Sequence, residues 1–186
     1  AALWHDLGKA HPAFQNMLLS KVAAEDPLQE GRPWAKSDGR PTARNERPHF
    51  RHELASALAW IQQEKDDLGA YLVAAHHGKV RLRLRARPTE RPPEPTVEDP
   101  RAERPYALGI HDGDVLPTTV LSDSVKVPEL TLRLRLMELG EADGRRSWAA
   151  RSLALLEKWG PFKLAYLESL VRVADWRGTN LHARSR

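Results

Sequence analysis

Apolar positions recur at helical spacing in four stretches of the chain, and each stretch carries an ionisable residue where the pattern asks for an apolar one. Leu3 and Leu7 lie one turn apart, Gly8 follows, and Pro12 is placed to open a new helix carrying Phe14, Met17 and Leu18. His5 and Asp6 are therefore expected near the end of a short helix. From His52 to Gln62, Leu54, Ala57, Leu58 and Ile61 form one stripe beside a stripe of His52, Ala55, Ser56 and Ala59, whose small side chains leave room for a ligand at His52. In 68–78, Leu68, Tyr71, Leu72, Ala75 and His76 share a face and Gly78 reads as a C-terminal cap, so His76 and His77 end a buried helix. Further on, Trp148, Ser152, Leu155 and Trp159 line one face, Gly160 caps it and Pro161 opens another helix. On that last helix Asp175 continues an apolar stripe through Leu164 and Val171.

The middle of the chain has a different period. Residues 80–88 (VRLRLRARP) and 130–138 (LTLRLRLME) alternate apolar and basic positions, the pattern of half-buried strands, and are expected to pair as a ribbon. Six of the fourteen prolines fall between Pro88 and Pro105, followed by GIHDGD, so most of 80–138 is expected to be an irregular insertion. The HD pair in that last string, His111 and Asp112, lies in a glycine-bearing loop without apolar periodicity and is read as a turn rather than a ligand pair. The fold class expected is all-α: one helical bundle over 1–186 with a small β-ribbon and irregular insertion.

Composition narrows the chemistry. With 41% hydrophobic and 29% charged residues the chain has ordinary globular usage, and no run of about 18 apolar residues offers a membrane span, so the expected compartment is the cytoplasm. Zero cysteines exclude disulfides, thiolate nucleophiles and Cys-ligated zinc, which leaves the eight histidines and the carboxylates as metal ligands. The net charge is +4, and residues 31–51 hold six Lys or Arg against Asp38 and Glu46. A phosphate-bearing polyanion is the partner such guanidinium groups fit, with Arg40, Arg44, Arg47, Arg51 and, from the alternating segment, Arg81 as candidates; a solvated loop is the alternative. No G-x-x-x-x-G-K-[ST] occurs, so ATP-driven work falls to another domain.

Burying His5, Asp6, His52, His76, His77 and Asp175 on inner helix faces is costly unless something neutralises or coordinates them, by pairing or by a cation, and a metal ion is the most economical candidate. Helix bundles build metal sites from such inward side chains, and imidazole with carboxylate suits first-row divalent ions: Mn, Fe, Co, Ni or Zn.

HDLGK resembles the metal-dependent phosphohydrolase motif of the HD superfamily. The order HDLGK, RHE, AAHHG, ADWRG resembles the HD nuclease domain of the CRISPR type I helicase-nuclease. MELGE, GRRSW and GPFKLAYLESLVRVADWR are similar to its subtype I-G (formerly I-U) form. The resemblance covers nearly the whole chain. It implies that Asp6 bridges two metals, that His52, His76 and His77 complete one sphere, and that His5 and Asp175 hold the other ion together with a histidine upstream of the HD motif. With Ala1 standing just ahead of that motif, the sequence is expected to begin inside the domain. Lys9 is implied as a catalytic cation toward a phosphate oxygen, and Mg joins the candidate ions, bound singly or as a pair. The implied activity is hydrolysis of single-stranded DNA in CRISPR interference, beside a helicase domain in the same or another chain and recruited by the effector complex (Cascade). An HD phosphohydrolase of nucleotides or cyclic nucleotides would share every ligand. A metal-depleted module that binds nucleic acid or a partner protein is the non-enzymatic alternative.

Overall fold

Helix α2 (His52–Gln62) is buried over most of its circumference: Leu54, Ala55, Ser56, Ala57, Leu58, Ala59 and Ile61 are all inside. Alanines at that density let neighbours approach closely, and α3 (Asp67–Ala75) packs along it. The Asp66 side chain caps α3, accepting from the Gly69 N–H at 2.7 Å. The computed structural model describes residues 1–19, 33–36, 42–63, 66–78, 82, 84–94, 104–137 and 144–184, with side chains to residue 178.

The N-terminal segment approaches α2 from the other side. Its residues are wound more tightly than an α-helix, with Trp4, Leu7 and Lys9 each donating to the carbonyl three residues back before a 3-10 turn at Leu7–Ala10. This corrects the expected short helix: His5 and Asp6 sit in successive tight turns, and Pro12 opens α1 (Pro12–Leu19) only after the chain has changed direction at His11. Gly8 makes the close approach possible, since a Cβ there would lie 2.0 Å from the His52 carbonyl oxygen. Helix α4 (Trp148–Arg184) is broken at Gly160, whose φ of 71° and ψ of 161° are non-helical, so two helical segments meet where Gly160 and Pro161 were expected to divide them. Leu164 and Val171 are buried, and Asp175 lies on the same inward stripe.

The fold is not all-α. Six short strands form three antiparallel pairs among the described residues: β1 (Tyr106–Ala107) with β2 (Ile110–His111), β3 (Val115–Leu116) with β6 (Leu130–Thr131), and β4 (Thr119–Ser122) with β5 (Val125–Val127). Ile110, Leu116 and Val127 from these strands, with Leu132 and Leu134 just beyond them, join the core of α2, so this middle region contributes to the core.

The expected ribbon between 80–88 and 130–138 is also corrected. Residues 84–88 form no strand, 79–81 and 83 lie outside the described residues, and Leu130–Thr131 pairs with Val115–Leu116 instead. Beyond Thr131 the backbone of Leu132 donates to the Asp114 carbonyl and that of Leu134 to the Asp112 carboxylate, both at 2.7 Å. Those bonds replace a strand ladder and lead into a 3-10 turn, Leu134–Met137. The alternation still governs burial, with Leu132 and Leu134 inside and Arg133 and Arg135 outside. Period two specifies which side chains face inward; it does not choose the strand that pairs.

Candidate metal centre

Six ionisable side chains predicted from the sequence meet at one place. His52 begins α2, His76 and His77 follow the last turn of α3, Asp175 comes from the second segment of α4, and His5 with Asp6 comes from the N-terminal turns. The His52 Nε2 lies 3.1 Å from the His77 Nε2 and 3.3 Å from the His76 Nε2. On the other side the His5 Nε2 lies 3.3 Å from the Asp175 Oδ1 and 3.4 Å from the Asp6 Oδ2.

Asp6 divides its oxygens between the two groups. Its Oδ1 faces His52 at 3.3 Å and His76 at 3.9 Å, while its Oδ2 faces His5 and takes a 2.8 Å ion pair from the Lys9 ammonium. Burial pushes this carboxyl up, but hydrogen bonds from His5 and His52 and the charges of His5 and Lys9 more than reverse that. It is held far below the usual carboxylate range. Asp6 is therefore an anion under all ordinary conditions.

The histidine tautomers are set by backbone carbonyls. Because a carbonyl can only accept, His5 Nδ1–H donates to Ala2 O at 2.6 Å and His76 Nδ1–H to Val73 O at 2.7 Å. Each bond turns Nε2 toward the centre, the arrangement that orients imidazole ligands. Burial, together with the neighbouring His77, His52 and His5, pushes His76 down to about 4. Burial and His52 likewise lower His77. His5 is raised: desolvation works against its cationic form, and the hydrogen bond and charge of Asp6 outweigh it.

This donor set fits a divalent cation. The His52 Nε2 lies within 3.3 Å of the Nε2 atoms of both His76 and His77, whose rings burial disfavours as cations, and a divalent ion is what such a group of imidazoles can share. His52, His76 and His77 form one set with ligand atoms within 4.8 Å of one another, and His5, Asp6 and His76 form a second. The shared His76, and the Asp6 Oδ1 that faces His52, make the two sets adjacent.

Three supporting features carry no signal in the helical pattern. Ser56, expected only as a small neighbour, is fully buried; its Oγ accepts from the Gly8 N–H at 2.7 Å and donates to the His5 carbonyl at 2.8 Å. His11 is buried at 2% exposure and was not singled out; the Ala13 N–H donates to its Nδ1, which leaves Nε2–H facing Asp114 Oδ2 at 3.0 Å. Asp114 is also bonded by Arg47 and by the His111 N–H, and although burial opposes it these partners hold its carboxyl well below the usual range. The 111–114 string is thus a turn, as expected, with a structural anion at its end. Arg47, a candidate for nucleic acid, has its guanidinium committed to Asp114. Arg44 is exposed, Arg51 sits beside Glu53 at 3.4 Å, and Arg40 and Arg81 lie outside the described residues.

The sequence matches the family described as Cas3, HD domain, over residues 1–183. The chain belongs to that family, which comprises metal-dependent nucleases of CRISPR systems. No curated protein and no solved structure matches it. Among the described residues no helix is long and apolar enough to cross a membrane.

Proposed function

We propose that the domain hydrolyses phosphodiester bonds of single-stranded DNA in type I CRISPR interference, in the manner of the I-G subtype, beside a helicase domain and an effector complex. The observation that carries this reading is the division of Asp6 between two ligand groups. One ion would be held by His52, His76, His77 and Asp6 Oδ1, and a neighbouring ion by His5, Asp175 and Asp6 Oδ2. Bound divalent metal supplies an acidified water and charge neutralisation at the phosphodiester.

The chain's own residues do the rest. Ser56 holds the His5–Gly8 turn against α2, so the two oxygens of Asp6 keep their separate orientations. The carbonyls of Ala2 and Val73 keep His5 and His76 in the ligating tautomer. Lys9 pairs with Asp6 at the edge of a cavity, where its ammonium is placed to meet a non-bridging phosphate oxygen. Arg44 offers an exposed cation to the backbone of the strand beyond the site.

The test is cleavage of single-stranded DNA, duplex DNA and mononucleotides by chelator-treated protein re-supplied with Mn, Fe, Co, Ni, Mg or Zn. Metal-dependent cleavage favouring the single strand, abolished in Asp6→Ala while the helical circular dichroism is kept, is the expected result. Preferential hydrolysis of mononucleotides, or Asp6→Ala with full activity and metal content, would overturn the proposal.

A further inference from the structure

A cavity of about 330 Å³ opens beside the candidate centre, with Asp6, Lys9, Trp34, Val120 and Leu121 among its lining residues. Ser122 and Asp123 also line it. We infer that this cavity receives the base of the nucleotide whose phosphate is presented to Asp6 and Lys9, with Trp34 as its stacking wall; the inference rests on the nuclease reading above.

Three observations support it. The first is size and character: the volume lies within the range of small-molecule sites, and the lining combines apolar and aromatic residues with polar ones, as a heterocycle with exocyclic groups requires. The second is the way Trp34 is held. One side-chain amide, that of Gln15 on α1, accepts from the Trp34 N–H at 3.0 Å and donates to the Trp34 carbonyl at 2.8 Å and to the Lys9 carbonyl at 2.6 Å. Gln15 thereby ties the backbone of the aromatic wall to that of the residue offering the ammonium. The third is strand β4, which lines the same cavity and packs against the 3-10 turn that follows Asp6. Wall, cation and carboxylate belong to one connected unit.

The arrangement gives a physical reason for strand preference. A base can enter the cavity only after leaving its stack and its partner, a cost that single strands largely escape. Stacking on an aromatic side chain is tolerant of base identity, so the subsite would select for an unpaired base with little sequence readout.

The test measures binding of a short fluorescein-labelled oligothymidine, and of the same backbone lacking all bases, to Mn-loaded wild type, Trp34→Ala, Trp34→Phe and Leu121→Trp. Losing a stacking wall should weaken the oligothymidine roughly 5- to 100-fold in Trp34→Ala. Trp34→Phe should restore most of it, and Leu121→Trp, which fills the cavity, should weaken binding as well. The base-free strand should bind all four proteins alike, with metal per chain unchanged. Wild-type affinity in Trp34→Ala, an equal loss on the base-free strand, or loss of metal in that variant would overturn the inference. Failure of the nuclease reading looks different: no cleavage by the metal-loaded wild type, with the base-dependent binding difference intact.

Discussion

Replacing Ser56 by Ala removes one oxygen and strands two backbone groups. The Gly8 N–H and the His5 carbonyl both bond to that hydroxyl, at 2.7 and 2.8 Å, and Ser56 is fully buried. Gly8 packs so closely on the His52 carbonyl that the turn has no room to slide toward another partner. Each buried group left without a partner costs about 1 to 3 kcal/mol, so the two together should remove about 2 to 6 kcal/mol of stability. For a domain of this size that corresponds to a Tm lower by about 4 to 24 °C. The carbonyl released belongs to His5 itself, so the imidazole loses its fixed approach to Asp6 and Asp175, and metal affinity should fall about 10- to 100-fold, as when a ligand loses its supporting shell. Urea unfolding of chelator-treated protein gives the first number, and metal titration of the folded protein gives the second. A stability change under about 0.5 kcal/mol with unaltered metal affinity would refute the reasoning, because Ser56 would then be one more small core residue.

Asp114→Asn should cost about 3 kcal/mol, since it leaves Arg47 and His11 around a neutral amide. The sign of its pH dependence follows from a folded-state pKa held below the unfolded one: the stabilisation is fully present above about pH 4 and is lost progressively as pH falls from there toward the lower folded-state pKa, so unfolding followed against pH should show a shallower acid limb in the variant. Gly8→Ala should lower stability and metal per chain together, because the added Cβ meets backbone at 2.0 Å and no side-chain rotation relieves it; elemental analysis beside thermal unfolding reads both. Arg44→Glu should weaken single-stranded DNA binding and reduce the log–log salt slope by at least about 0.7, with metal content unchanged, in an anisotropy titration over a range of salt concentrations.

What the sequence made legible was periodic. Helices α2 and α3 show their buried stripes at helical spacing, and the polar residues that interrupt those stripes or sit at their ends, His52, His76, His77 and Asp175, are the ones that converge. The middle of the chain was less legible, because the alternation in 130–138 reports side-chain facing alone, and the backbone bonds that end the strand at Thr131 come from the 112–114 turn. The His11, Asp114 and Arg47 cluster was invisible for a related reason: its members lie far apart in sequence, and none interrupts an apolar pattern. Ser56 was visible but misjudged, since a small residue beside a ligand looks the same whether it makes space or makes two hydrogen bonds. His5 and Asp6 reach the other four side chains from tight turns and not from the expected helix end, because the bonds to the carbonyl three residues back keep that segment wound against α2.

The central claim is that Asp6 joins two ligand groups that hold divalent metal, and anomalous diffraction from crystals equilibrated with excess Mn tests it most directly. The account predicts a peak bounded by the Nε2 atoms of His52, His76 and His77 and by Asp6 Oδ1, with a neighbouring site on the side of His5, Asp175 and Asp6 Oδ2. Absence of any peak among the six side chains, with the three imidazole nitrogens still at their 3.1 to 3.3 Å separations, would contradict it.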